Sequence, residues 1–185
     1  MAEPGFHAPP RTSTRPAGFG DAEAIARVHV ASWRETYPGL VPQPMLDRLS
    51  VAGRTRSWRS TLRRPPAVSR TAVFVAEWNR IIVGFAAGGA QRSSALRRAG
   101  FTAEIDAIYV LRAAQGQGLG RLLMASLAQT FVDRGHGAAS LWVLRENAAA
   151  RRFYERLGGE PVAEKQDGAL IEIAYGWSAL TRLLG

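Results

Sequence analysis

The 185-residue sequence contains no cysteine, which excludes disulfide bridges and thiolate metal sites. Histidine is scarce: His7, His29 and His136 are scattered without metal-ligand spacing, so no metal is expected. No apolar stretch approaches the ~20 residues that span a bilayer, so no membrane partner is expected either. The N-terminal segment MAEPGFHAPPRTSTRPAG lacks the apolar core of a secretory signal, which makes the cytoplasm the expected location. No internal repeat is visible. The chain is rich in positive charge, with 24 basic against 15 acidic residues giving +9. Such a balance serves either as a solvated surface or as attraction to a polyanion, whether a phosphorylated cofactor or a nucleic acid. The pairs Arg63–Arg64, Arg97–Arg98 and Arg151–Arg152 are not interleaved with aromatics, which disfavours single-stranded nucleic acid as a partner.

The length suits one domain with a full core. Residues 1–10, rich in Pro and Gly, read as a disordered tail, and residues 11–185 as a single domain. Arg11 to Pro16 reads as a short edge strand. Asp21 is a good N-cap for a helix to about Glu35, with Ile25, Val28 and His29 on its apolar stripe. A second helical region is expected from about Pro44 to Arg63. The runs Thr71 to Glu77 and Ile81 to Gly88, joined by Trp78-Asn79-Arg80, read as a hairpin. Gln91 to Gly100 reads as a basic loop and Thr102 to Leu111 as a strand. Leu119, Leu122, Leu123, Leu127 and Phe131 mark an amphipathic helix from Leu119 to Arg134. Ala139 to Leu144 is a strand, Ala148 to Leu157 a helix, and Glu160 to Lys165 and Ala169 to Tyr175 two last strands. This order suggests a mixed sheet with helices packed on it.

The stretch QGQGLGR, Gln115 to Arg121, sits between a strand and a helix. It is neither a P-loop, which ends in Gly-Lys-Ser/Thr, nor the dinucleotide fingerprint, whose sixth position would fall on Arg121 rather than glycine. Its physics still suits an anion. Glycines let a ligand approach the backbone, and the first amides of a helix have no internal partners. The helix dipole adds positive potential there. Arg121 stands where it can pair with a phosphate. A Gly-rich turn without a ligand is the competing reading. A second stretch, RENAAARRFYERLGG, places Asn147, Ala150 and Tyr154 on one helix face. Taken alone, Asn147 is simply a cap and Tyr154 simply core.

Together the two stretches resemble the GNAT superfamily of acyl-CoA-dependent N-acyltransferases. Gln115, Gly118 and Gly120 match its Gln/Arg-x-x-Gly-x-Gly/Ala signature. Asn147, Ala150, Phe153, Tyr154, Leu157 and Gly158 match its later Asn-x-x-Ala-x-x-Phe-Tyr signature and the Leu-Gly turn that follows. The segment SWRETYPGL resembles the first-helix region of many members. The resemblance implies an α/β (α+β) GNAT fold: a mixed sheet of about six to seven strands, four flanking helices and splayed central strands. It implies acetyl-CoA as co-substrate and no metal. The pyrophosphate would lie on the amides of Gln115, Gly116, Gln117, Gly118, Leu119, Gly120 and Arg121. The pantetheine arm would run along Ile108, Tyr109 and Val110, and Asn147 would hydrogen-bond it.

The implied reaction is attack of an amine on a thioester, transferring acetyl to a primary amine of a small molecule or peptide. An alkylammonium, with a pKa near 10.4, costs roughly 4–5 kcal/mol to deprotonate at neutral pH. Tyr154 is the expected general acid for the departing thiolate. Glu104 is the expected base, with Asp106 or water as alternatives: it shares one face of an ideal strand with Asp106, Ile108 and Val110, lies about 20 Å back from Val110 toward the reacting end, and falls where the resemblance implies a catalytic glutamate. A bulge would change that count. Trp33 and Tyr37 are expected to line the acceptor site, or else to be core. The loop arginines Arg92, Arg97 and Arg98 would repel a polycationic acceptor. The alternative functions are a non-catalytic acyl-CoA-binding module and, less favoured, a nucleic-acid binder; monomer and homodimer are both compatible with the sequence.

Overall fold

The computed structural model describes residues 11–185; the tail expected at 1–10 lies outside them. The strands are β1 (Thr12–Pro16), β2 (Ala72–Trp78), β3 (Ile81–Ala90), β4 (Ala103–Val110), β5 (Ala139–Leu144), β6 (Glu160–Asp167) and β7 (Leu170–Trp177). They form one seven-stranded mixed sheet in the order β1-β2-β3-β4-β5-β7-β6. The first four pair antiparallel, as do β5, β6 and β7, and the two halves meet at the parallel pair β4–β5. The hairpin β2–β3 turns on Asn79 and Arg80, both at positive φ, the conformation whose twist matches the flanking strands.

The helices are α1 (Ala22–Thr36), α2 (Gln43–Asp47), α3 (Val51–Thr61), α4 (Ser94–Arg98), α5 (Leu119–Asp133) and α6 (Ala148–Arg156). The sequence suggests four helices, and two short ones account for the difference. The expected helix over 44–63 is broken at Leu49. Ser50 is extended and its side chain accepts from Gly53 N–H at 3.1 Å, capping a new helix, while Leu49 is buried at the joint. The expected loop 91–100 contains α4, capped by Ser93 and anchored by buried Leu96. Asp21 precedes α1 but caps nothing in it. Its carboxylate takes the Gly18 N–H at 2.8 Å and pairs with Arg15.

Two apolar layers cover the sheet. On one face α5 sends Leu119, Leu123, Leu127 and Phe131 into a core shared with Ala103, Ile105 and Leu141. Leu122, expected on that stripe, is exposed. At 100° per residue it turns roughly 120° from the centre of the i, i+4 row. On the other face α1 and α3 cover Val73, Val75 and Phe85.

A bulge in β4 sets the site. Ala87 pairs with Ala107 but Gly88 pairs with Ile105, which leaves Asp106 as the extra residue. Beyond the bulge, Ile108 and Val110 face the α5 core with Ala103 and Ile105, while Ala107 and Tyr109 face α1. The single face expected for Glu104, Asp106, Ile108 and Val110 is therefore broken. Gly88 is required opposite the bulge, since a Cβ there would lie 2.5 Å from the Glu104 carbonyl oxygen and 2.8 Å from Phe131.

His29 is buried on α1. Its ring stacks on Tyr109 at 5.2 Å, and its Nδ1 accepts from the Trp58 indole at 3.3 Å. Burial, then the nearby Arg54 charge, push its pKa down to about 4 from an ordinary 6.5. The folded state thus favours neutral His29, and its contribution is complete above the ordinary pKa. It is lost as pH falls toward 4, by on the order of 3 kcal/mol. Denaturant unfolding at pH values above and below this window is expected to show that acid-dependent loss in the wild type. In His29→Gln, which keeps an acceptor for Trp58 but cannot titrate, the loss is expected to be smaller by about that amount.

Candidate active site

The site begins where the sheet stops pairing. β4 and β5 are paired only at Ala103 with Ala139 and Glu104 with Ser140. Past Glu104, β4 continues with β3 while β5 continues with β7, so a gap opens between them. Leu111 N–H donates to Val83 O at 2.9 Å in the β3–β4 register. Antiparallel ladders alternate paired and outward-facing groups, so the main-chain groups of Ile108 and Val110 face the gap. Consistently, the Val110 carbonyl accepts from Gln115 Nε2 at 3.0 Å. The main chain of Tyr109 faces β3 instead, and its side chain is what reaches the site.

The glycine loop stands at the open end. Gly116 and Gly118 have φ of 77° and 76°, where an L side chain costs roughly 1–2 kcal/mol. Gly118 is the N-cap of α5. The amides from Gly116 to Arg121 find no acceptor among the described residues. They converge at the positive end of a 15-residue helix, an arrangement suited to a multiply charged anion. Gly120 has a separate reason to be glycine: a Cβ would meet Phe153 at 3.0 Å, so the two sequence motifs touch here. Leu119 is core and Gln117 exposed. Arg121 donates to the Gly185 carbonyl. Glu35 braces the loop by accepting from Arg112 N–H at 2.9 Å.

The α6 wall follows from its cap. Asn147 Oδ1 accepts from Ala150 N–H at 3.2 Å, so its oxygen is used, while its Nδ2 has no acceptor among the described residues. Tyr154, two turns further along, is 7% exposed. Its ring lies against Phe153, Tyr175 and Trp177. Burial, then the nearby Tyr109, hold its hydroxyl well above the ordinary tyrosine range, so it stays protonated. On the opposite face Trp33 and Tyr37 pack ring to ring at 4.7 Å. Both pack against a buried cluster of Val30, Val41, Leu46, Leu49 and Leu144. The Tyr37 hydroxyl lies 3.5 Å from that of Tyr109. The Trp33 indole N–H is buried and meets the hydrogen-bond criteria with no partner among the described residues.

The carboxylates sit at the closed end of the gap. Glu104 is buried and clamped by Arg92, whose backbone N–H and guanidinium both donate to it, at 3.0 Å and 2.8–3.2 Å. Burial pushes its pKa up, but the Arg92 bonds and charge outweigh that and bring it below the ordinary value. Asp106, turned out by the bulge, also touches Arg92. Burial, chiefly, raises its pKa; Arg92 opposes this and the Glu104 charge adds to it. Arg92 is thus spent on the two carboxylates rather than directed at an acceptor. Glu172, which sequence reasoning missed, lies on β7 and pairs with Lys165 at 2.9 Å. No motif marks it, because only the β5–β7 pairing sets it opposite Leu144. Among the described residues no helix is long and apolar enough to cross a membrane, and no group of three His, Asp or Glu could hold a metal.

Comparison with known proteins agrees with this architecture. The model of the acetyltransferase (GNAT) family matches residues 28–159. The uncharacterized N-acetyltransferase YuaI of Bacillus subtilis is 34% identical over 176 residues, covering 92% of this chain and 95% of that protein. Among solved structures, PaiA N-acetyltransferase from Thermoplasma acidophilum, in complex with coenzyme A, superposes with a TM-score of 0.74. It shares 16% identity and the match covers 90% of this chain and 99% of that one. YncA from Salmonella typhimurium, with acetyl-CoA, gives a TM-score of 0.65 at 23% identity, covering 91% and 94% of the two chains. The chain therefore belongs to the acetyltransferase (GNAT) family and is an acyltransferase.

Proposed function

We propose that this enzyme moves an acetyl group from acetyl-CoA to a primary amine of a small molecule or peptide. The observation that carries the reading is the run of unpaired amides from Gly116 to Arg121 at the mouth of a gap whose β4 edge is open. A pyrophosphate satisfies those amides, and an extended amide-bearing arm satisfies Ile108 and Val110 as an added strand would. Asn147 Nδ2 supplies one more donor on the facing wall. PaiA and YncA, which share the fold, bind coenzyme A and acetyl-CoA respectively.

In this reading an arm entering at the loop carries its thioester inward past Tyr154, toward Glu104 and Asp106. The acceptor arrives from the α1 face, where Trp33 and Tyr37 form its wall. Of the two carboxylates, Asp106 is the better proton acceptor. Glu104, the base implied by the family resemblance, already accepts three bonds from Arg92 and is held ionised. Glu104 then anchors Arg92, and Arg92 positions Asp106. Tyr154, kept protonated by burial, gives its proton to the departing sulfur.

Calorimetry with acetyl-CoA is expected to show saturable binding in the wild type and roughly tenfold weaker binding in Gly118→Ala, whose loop is strained. Absence of binding in the wild type removes the reading. Tyr154→Phe is expected to bind acetyl-CoA within about twofold of the wild type and to lose roughly 10²–10⁴-fold in kcat, measured as thiol release across an amine panel. Asp106→Asn is expected to lose more activity at neutral pH than Glu104→Gln; the reverse order returns the base role to Glu104.

A further inference from the structure

We propose that Arg54, Trp33 and His29 form a cluster of hydrogen-bond donors that takes a carboxylate of the acceptor, so that the amine acetylated belongs to an amino acid or to another amine bearing one carboxylate. This deepens the acetyl-transfer reading and rests on it.

The first observation is an arginine without a partner. Arg54, in α3, is half-buried. Arg15, Arg145 and Arg151 are half-buried too, and each is bonded: Arg15 to Asp21 and Glu77, Arg145 to Glu164, Arg151 to Tyr175. Arg54 meets no acceptor among the described residues. Its guanidinium lies 5.9 Å from the centre of the Trp33 ring instead. It also stands near the N-terminal end of α3, where the helix dipole disfavours a cation. A cation drawn out of water without a counter-charge is costly, and an incoming anion relieves that cost.

The second observation is that its neighbours are also donors without acceptors. The Trp33 indole N–H is buried with no partner among the described residues. His29, 8% exposed, accepts at Nδ1 from the Trp58 indole at 3.3 Å, so the neutral ring carries its proton on Nε2. That N–H has no acceptor among the described residues either. The groups lie together: the His29 ring is 6.0 Å from Trp33 and 5.2 Å from Tyr109, and Trp33 is 4.7 Å from Tyr37. Buried donors are ordinarily paired, so what is missing here is an acceptor from outside the chain. The cluster spans the walls of the gap, since Tyr109 belongs to β4 while Trp33 and Tyr37 pack on an apolar group that includes Leu144, the last residue of β5.

The charge suits a monoanion. Burial, then Arg54 itself, push the pKa of His29 down to about 4, so Arg54 is the one charged member of the cluster at neutral pH. Burial raises the pKa of Tyr109, while Tyr37, Trp33 and Arg54 each oppose the rise, as donors and charge gathered at one hydroxyl do. A single guanidinium fork matches one carboxylate in both charge and shape, whereas a phosphate dianion would keep an excess charge. At the closed end of the gap, Glu104, Asp106 and Arg92 together leave one negative charge. The two ends therefore complement a zwitterion, its ammonium toward Asp106 and its carboxylate toward Arg54. The carboxylate takes no part in bond making.

The test follows thiol release from acetyl-CoA with glycine, γ-aminobutyrate and L-lysine, each beside its carboxamide, with hydroxylamine as the reference amine. The wild type is expected to favour at least one acid over its amide by about tenfold or more in kcat/KM, chiefly through the KM for the amine. In Arg54→Gln that ratio is expected to fall toward 1. Arg54→Lys should lie between, because an ammonium keeps the charge without the fork. Each ratio is taken within one protein, so a general loss of folded enzyme cancels. With CoA in place of acetyl-CoA no transfer runs, and titration with the preferred acid is expected to move the His29 imidazole NMR resonances in the wild type but not in Arg54→Gln. Thiol release without a preference for any acid, a preference that persists in Arg54→Gln, or unmoved His29 resonances each overturn the carboxylate cluster and leave acetyl transfer standing. No thiol release with any of these amines, together with no heat on mixing with acetyl-CoA, overturns the acetyl-transfer reading and this inference with it.

Discussion

The loss of pairing between β4 and β5 after Glu104 and Ser140 is the constraint on which the remaining features depend. A sheet ordinarily gains by completing its ladder, and unpaired backbone groups in a protein interior are costly. Here the two strands diverge because each is held on its outer side. β4 is paired with β3 through Gly84–Val110, and β5 with β7 through Leu144–Glu172. The bulge at Asp106 adds local twist where the divergence starts. The result is a slot with main-chain donors and acceptors on one wall and α6 near the other.

Three contacts hold the loop at the end of that slot, and none involves the amides that face it. Gln115 ties the loop back to Val110, Glu35 holds Arg112 from the end of α1, and Phe153 of α6 fills the space over Gly120. The loop is therefore positioned by side chains and by glycine geometry, and its N–H groups are left for an anion. A preorganised set of donors is worth more than a flexible one, because little ordering remains to be done when charge arrives.

The parts legible in the sequence are those that local geometry dictates. Gly116 and Gly118 stand at positive φ, and Asn147 caps the helix that carries Tyr154. Strand and helix limits followed from periodicity, with Ala139–Leu144 and the start of α5 read to the residue. What escaped was set by partners distant in the chain. The bulge lies opposite Gly88, where the backbone approaches Glu104 closely, and it divides a face that strict alternation would have kept whole. The fate of Arg92 depended on a short helix that brings residues 91–100 back to β4. Tyr109 was read only for its backbone, since nothing local says that its hydroxyl would meet that of Tyr37, 72 residues earlier at the end of α1.

The gap also explains why its two ends differ in chemistry. At the closed end Glu104, Asp106 and Arg92 leave one net negative charge, suited to drawing in an ammonium and taking its proton. At the α1 side, burial and mutual proximity keep tyrosine hydroxyls neutral, and the pKa of His29, pushed down to about 4, keeps that ring uncharged beside them. A cation at His29 would draw proton density from Tyr109 and favour its phenolate. Neutral His29 therefore serves the site as well as the core: the same burial that makes the histidine acid-sensitive keeps the adjoining hydroxyls uncharged.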